Sequence, residues 1–492
     1  MIIRKTAAAV LAALLSATML IACGETAKTS SPGNGTSSGE NESAAEQAET
    51  TTEDPGPSLD LPEANYDGYT VKILTLPMYN EHFKLNTEQN GDSLDDAGYL
   101  RNLALSELIN VSVEIVEADQ PANVLKKSVM AGDNAYDYVF PHASDGVAAM
   151  VINKLLLDWN TLKNVDFSKP WWNQMMTTSL GIGGHLFYAS GDIVMAWQGM
   201  QATLFNKEMV ETYIPGTDLY GVTFDGKWTI DYLTSAVKGV AYDLDGDGAM
   251  KGGDFYGLQD NGGMSFQYGA DIRVTNPDED GWPVLALNTE RMAEMVEKYS
   301  RLMWSGDVWL DTYSNASYPT STYRDMIVEA RCFMSTLDIG GLYSNLREIE
   351  YEFGVLPVPK FDEIQDNYRV FCGAGLIGIP IDTPDPDRSS VIMEAMAYYS
   401  YQYIRPAFFD IVLENKAVRD ENSYKVIRLM HENKVFDFGF NFDTTGLGYN
   451  MLKNVVVDKN STDFASYYAK NESKIQKAFD KVINAVKEYE NG

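Results

Sequence analysis

An α/β fold built on a parallel sheet is predicted by two observations: strand and helix signals alternate along the first ordered stretch, and its strands are short apolar runs. Val71 to Leu76 reads as a buried strand, and Leu100, Leu103, Ala104 and Leu108 mark one face of a helix. Val111 to Val116 is a second strand, Val124, Leu125 and Val129 mark a second helix, and Tyr136 to Phe140 is a third strand. The order is β-α-β-α-β. Open sheets of this kind bind ligands beyond the carboxyl ends of their strands, which here lead into Pro77-Met-Tyr-Asn80 and Pro141-His-Ala-Ser-Asp145. Tyr79, His142 and Asp145 are therefore candidate ligand contacts. The body, from about Tyr66 to Gly492, is long for one compact core, so two lobes are expected.

The first residues carry an address. Arg4 and Lys5 precede an apolar run from Ala7 to Ile21, which is shorter than the roughly 20 residues a bilayer span needs. The run ends in Leu20-Ile-Ala-Cys23, which looks like a bacterial lipobox. In that pattern Cys23 takes a diacylglyceryl group and becomes the first mature residue, and two acyl chains give stable anchoring. Residues 24–60 are Gly, Ser, Thr, Glu, Asn and Pro with almost no large apolar side chain, and such a segment cannot fold alone. As a coil it would span roughly 35 Å, a tether between a membrane and the folded body.

The formal net charge is −32, and loss of Arg4 and Lys5 with the signal makes the remainder more acidic. Nucleic acid is excluded as a partner, because phosphate binding needs basic patches. Once Cys23 is lipidated only Cys332 and Cys372 remain, both in apolar, strand-like runs where a thiol packs as a small hydrophobe. An exported location permits a disulfide between them; spacing alone does not bring them into reach.

The sharpest chemical motif is Asp243-Leu-Asp245-Gly-Asp247-Gly-Ala249-Met-Lys-Gly-Gly-Asp254. Acids at loop positions 1, 3, 5 and 12 with glycine at 6 match a calcium loop, in which the Ala249 carbonyl serves position 7 and Gly248 permits the turn. Asp254 stands where an EF-hand has Glu, as in dockerin loops. Lys251 at position 9 cannot ligate, so water would serve there. A helix precedes the loop (Leu233, Val237, Val240), and Phe255-Tyr-Gly-Leu258 after it reads as a strand. Structural Ca²⁺ is the expected cofactor, against a solvated acidic turn.

Motifs spread over more than 400 residues carry a wider resemblance. They are Leu156-Leu-Asp-Trp-Asn160, Lys169-Pro-Trp-Trp-Asn173, Gly191-Asp192, Leu204-Phe-Asn-Lys207 and Gly226-Lys-Trp-Thr-Ile-Asp231. Gly354-Val-Leu-Pro-Val-Pro-Lys360 follows, with Asp362 and Gln365 behind it, then Arg405-Pro-Ala-Phe-Phe409 and Arg419-Asp-Glu-Asn-Ser423. In order and spacing the chain resembles extracellular solute-binding proteins of ABC importers, the family 1 group that includes maltose-binding proteins, in a branch common among Firmicutes. The resemblance implies a type II periplasmic-binding-protein fold: two lobes of mixed sheets flanked by helices, closing on a solute in the cleft between them.

By that analogy 1–23 is the signal, 24–60 the tether, 61–196 and 366–425 the first lobe, and 197–365 and 426–492 the second. The chain would cross near Asp192 to Gln201, return near Lys360 to Phe371 and cross again between about Asp420 and Gly446. The C-terminal helix marked by Ile475, Phe479, Val482 and Val486 would pack on the second lobe. A sugar offers hydroxyls to carboxylates and amides and an apolar face to aromatic rings. Asp192 and Trp197 supply that pairing at the first crossing; Gln259, Asp338 and Tyr449 align loosely with segments that line the cleft in the maltose-binding branch. Of Trp171 and Trp172, neighbours that face different ways, one is expected in the core.

No G-x-S-x-G elbow, H-E-x-x-H zinc helix or G-x-x-x-x-G-K-[ST] phosphate loop is present, and only His82, His142, His185 and His431 are available to histidine chemistry. The expectation is therefore not an enzyme but a monomeric receptor, lipid-anchored on the extracellular face of the cell membrane. It would deliver a carbohydrate of oligosaccharide size to ABC permease subunits whose ATPase lies on separate chains. The alternatives are the same fold binding a peptide or other small nutrient, a surface glycosidase and an adhesin.

Overall fold

A computed structural model describes residues 57–260, 262–310, 323–341, 349–373, 375–414 and 420–490. Cys23 and most of the expected tether lie outside the described residues. The first sheet opens with β1 (Tyr69–Thr75), whose inward side chains are the branched residues Val71 and Ile73. Helix α1 (Ser93–Ile109) starts where the Asp92 carboxylate accepts from the Leu94 and Asp95 amides, and ends at left-handed Asn110. It leads into β2 (Val111–Glu117). Helix α2 (Pro121–Ala131) starts on a proline, which has no amide hydrogen to leave unsatisfied, and stops at left-handed Gly132. Strand β3 (Tyr138–Phe140) and the short helix α3 (Val147–Ile152) follow. The sheet order β2-β1-β3 is parallel throughout, as the alternation predicts.

The second sheet is mixed. Its strands are β4 (Gln201–Asn206), β5 (Tyr256–Asp260), β6 (Val308–Leu310), β7 (Cys332–Asp338) and β8 (Phe353–Pro357), in the order β8-β4-β7-β5-β6. Strand β4 runs antiparallel to both β8 and β7, whereas β5 runs parallel to β7 and β6. Helices α4 (Ile230–Val237), α5 (Met264–Gly269) and α6 (Glu290–Met303) lie within this stretch. Gly263 before α5 takes φ 86°, and a Cβ there would stand 2.7 Å from the Tyr299 ring, so both conformation and space call for glycine.

Three neighbouring strips of backbone join the two sheets. Met200, entering β4, bridges Cys372; β9 (Val370–Phe371) pairs with β10 (Lys434–Val435). From the second strip, Ile377 to Pro380 returns to the first sheet, where Gly378 pairs with Val139. Helices α7 (Pro386–Tyr399), α8 (Arg405–Glu414), α9 (Glu421–Glu432), α10 (Phe438–Phe442) and α11 (Phe464–Glu490) complete the fold.

Many residues that carry the family resemblance hold this frame together. Lys207 pairs with Asp420, the cap of α9, and the Tyr220 hydroxyl donates to the same carboxylate at 2.8 Å. Lys360 Nζ donates to the Gln365 carbonyl, whose side-chain oxygen accepts from Arg291. Trp228 Nε1 donates to the Pro357 carbonyl at the end of β8.

Three expectations need correction. The buried face of α1 is Leu94, Ala97, Arg101, Leu105 and Ile109, whereas Leu100, Leu103 and Leu108 are exposed. Arg101 hides the true face: it is fully buried because its guanidinium donates to the Phe83 carbonyl. Trp171 and Trp172 are both in the core, since one acceptor serves both: their indole nitrogens donate to Glu394 Oε1 at 2.9 Å and Oε2 at 2.8 Å. Helix α11 buries Ile475, Phe479, Val482 and Val486 as expected, but against the first sheet's α3 as well as α6. Near its end Tyr489 meets the rings of His185 and Phe187.

Cys332 and Cys372 are buried thiols, not a disulfide. Burial pushes Cys332 up to about 12, and Cys372 Sγ lies 2.9 Å from the Ala196 carbonyl oxygen.

Candidate functional site

The carboxyl ends of the parallel strands lead to one aromatic cluster. After β3 comes Ala143 and after β5 comes Tyr268, and these two pack with Phe371 of β9 and Phe440 of α10, apart from the main core. Tyr268 stacks on Phe371 with centroids 4.7 Å apart and planes at 17°, and Phe371 meets Phe440 edge-on at 4.6 Å. Met264 and Tyr449 pack against the cluster from the outside. The Asn441 amide donates to the Ala143 carbonyl at 2.6 Å, tying α10 to the end of β3.

Polar groups without protein partners sit on β5 and α5, the elements that lead to this cluster. Both ends of the fully buried Gln267 amide and Gln259 Nε2 have none, while the Tyr268 hydroxyl faces the Asp437 carboxylate. A buried polar group left unpaired costs about 1–3 kcal/mol, so solute hydroxyls or water at these atoms would recover free energy. Burial, and then the Asp437 carboxylate, raise Tyr268 well above the usual phenol range, so it stays a neutral donor.

The sequence candidates divide between this region and others. Tyr79 is buried after β1; its ring lies 6.1 Å from His142 in a stacked arrangement and 5.0 Å from Phe140. His142 is half-buried with Nδ1 3.2 Å from the Ser144 hydroxyl, and burial lowers its basicity despite Asp145. Asp145 itself is exposed. Tyr449 is half-buried, meets Phe440 edge-on at 5.0 Å and is hydrogen-bonded to Ser144. Gln259 is fully buried beside Ser335 on β7, and half-buried Asp338 closes that strand by accepting from the Gly341 amide at 2.6 Å.

Asp192 and Trp197 line a different pocket, of about 290 Å³, behind the joining strips; none of its lining residues belongs to the aromatic cluster. Asp192 Oδ2 lies 2.7 Å from Arg405, and Trp197 packs edge-on against Phe408 at 4.5 Å. Burial raises the Asp192 carboxyl, opposed by Arg405 and Lys434. Sequence reasoning missed Tyr268, Phe371 and Phe440, which read as ordinary core aromatics because only the fold brings them together.

The acidic loop between α4 and β5 gathers Asp243, Asp245 and Asp247, with one oxygen of each within 4.8 Å of the others. Asp243 accepts from the Gly246 and Gly248 amides, at 2.7 and 2.6 Å, and these bonds lower its carboxyl. Desolvation, then Asp243 and Asp254, raise Asp245. Asp254 is buried and accepts from the Leu244 and Lys251 amides, while Lys251 pairs with Asp247. Three converging carboxylates fit a hard cation. Asp254 and Lys251 would have to turn for a full shell to form.

No family model and no curated protein matches the chain in sequence. Solved structures do match in three dimensions. The ABC substrate-binding protein Lmo0181 of Listeria monocytogenes, solved with cycloalternan, is 12% identical at TM-score 0.52, covering 85% of this chain and 99% of its own. The GacH receptor of Streptomyces glaucescens, solved with acarbose, is 12% identical at TM-score 0.52, over 83% and 99%. UgpB of Mycobacterium tuberculosis, solved with glycerophosphocholine, is 11% identical at TM-score 0.55, over 84% and 99%. The fold is the two-lobed, type II periplasmic-binding-protein fold.

Proposed function

We propose that this chain is the solute receptor of an ABC importer and that its cleft takes a carbohydrate of oligosaccharide size. The observation that carries the reading is the aromatic cluster beyond the strand ends, with stacked Tyr268 and Phe371, edge-on Phe440 and half-buried Tyr449, together with the unpartnered polar atoms of Gln259 and Gln267 on β5 and α5. Rings suit the apolar face of a sugar, and amides and hydroxyls suit its rim. The similar structures solved with cycloalternan, acarbose and lacto-N-biose support the same ligand class. Lipidation at Cys23 would hold the receptor on the outer face of the membrane, and the permease and ATPase are separate chains. The receptor acts by reversible capture, with no chemical step on its ligand.

A thermal-shift screen tests this reading with cycloalternan, acarbose, lacto-N-biose, glycerophosphocholine and a peptide mixture. A ligand at 100 times its dissociation constant adds about 2.7 kcal/mol of stability. A shift with a saccharide supports the proposal; a shift confined to glycerophosphocholine or peptide transfers the fold to another nutrient class.

The acidic loop is proposed to hold one structural Ca²⁺ through Asp243, Asp245 and Asp247, with the Ala249 carbonyl and Asp254 completing the shell. Its oxygens would pin the turn between α4 and β5, away from the cleft. Calorimetry should show about one Ca²⁺ bound per chain, lost in Asp245→Ala with saccharide binding intact. No uptake at millimolar Ca²⁺, the weak end for extracellular modules, contradicts it.

A further inference from the structure

The pocket behind the joining strips has a chemistry of its own. Its lining residues come from the Lys169-Pro-Trp-Trp-Asn173 segment, from the first crossing (Asp192, Trp197), from the start of α8 (Arg405) and from the third crossing (Lys434). Trp171 and Trp172 offer the pocket no indole donor, because Glu394 takes both indole hydrogens. Gly191 lets the wall close up: a Cβ there would stand 2.3 Å from the Trp171 carbonyl oxygen.

Apart from Asp192 Oδ2, which faces Arg405 at 2.7 Å, the buried polar atoms of the lining without a hydrogen bond are donors. Trp197 is 2% exposed and its Nε1 has no partner; Arg405 Nε is buried without one. Lys434 is 8% exposed, and among the described residues its ammonium makes no hydrogen bond or ion pair. The acceptors are few: Asp192 is paired with Arg405, and Glu432 is exposed. Lys434 and Arg405 thus share one buried acid, Asp192, which acts on both, and a second anion would relieve the positive charge left over.

We infer that this pocket binds a small carboxylate, whose oxygens accept from Lys434, Trp197 and Arg405 while its body lies against the Trp171 and Trp172 rings. At about 290 Å³ the pocket is at the small end of ligand sites, so the occupant is one sugar ring or less, not an oligosaccharide. It would touch the first lobe and two of the three crossings at once, and so sits where lobe movement is felt. The inference stands independently of what the cleft holds.

Titration calorimetry of the purified protein with glucuronate, acetate, glucose and sulfate tests it. Glucuronate or acetate should bind, and neutral glucose should not bind at this site. Lys434→Met should weaken the carboxylate about 10- to 100-fold, the range for losing a charged hydrogen bond, without lowering thermal stability. Trp197→Phe, which keeps the ring and removes its donor, should weaken it by less. Saccharide binding in the cleft should be unchanged in both variants. No carboxylate binding, binding indifferent to Lys434→Met, or sulfate binding as tightly as the carboxylates would each overturn the inference.

Discussion

Glu394 shows how one side chain can set a local frame. Its carboxylate holds Trp171 and Trp172 together, and burial, relieved in part by the two indoles, pushes it up to about 7. An acid raised in the folded state favours folding at low pH, and that contribution fades as pH rises from the ordinary glutamate value near 4.5 toward 7. At about 1.4 kcal/mol per unit its upper bound is about 3.5 kcal/mol. Denaturant melts across that window should slope downward in the parent protein, with that component of the slope absent in Glu394→Gln. A parallel slope in the variant would assign the pH dependence elsewhere. None of this was legible in Lys169-Pro-Trp-Trp-Asn173, because the shared acceptor lies more than 200 residues away.

At the scale of elements, periodicity was a good guide where one kind of residue sits on one kind of face. The three parallel strands and α11 could be read this way because Val, Ile, Leu and Phe mark their inner sides without interruption. It misled on α1, where buried Arg101 and small Ala97 and Gly98 occupy the inner face and three leucines look outward. The consequence is measurable. Leu105→Ala should cost about 2–5 kcal/mol in urea melts, whereas Leu103→Ala, at 41% exposed, should cost less than about 1. Equal costs would mean that α1 is packed in a different rotation. The calcium-type loop was legible as a pattern of acids, but the turning of Asp254 onto backbone amides was not, because a carboxylate that ligates and one that caps a turn look alike in sequence.

At the scale of the whole molecule, the fold was legible through the order of its motifs, yet several of those motifs brace the frame and do not line the cleft. Lys207 is tied to Asp420, and Lys360 and Arg291 to Gln365, so these motif residues fasten segments far apart in the chain. The proposed cleft draws on an aromatic cluster from residues near positions 143, 268, 371 and 440, and no local pattern connects them. In the proposed reading the three strips that join the sheets would serve as the hinge for closure on a solute. Small-angle scattering should therefore show a smaller radius of gyration once a saccharide saturates the protein; an unchanged radius would mean that the lobes do not move on binding.

The most direct measurement is calorimetric titration of the parent protein and Tyr449→Ala with whichever saccharide gives the largest thermal shift. Tyr449 is half-buried against Phe440, so its loss should spare the core while removing stacking surface and a hydroxyl from the cleft. The expected result is binding weakened by about 1–3 kcal/mol, roughly 5- to 150-fold, with the melting temperature little changed. An unchanged dissociation constant in well-folded Tyr449→Ala would contradict a saccharide site at the aromatic cluster.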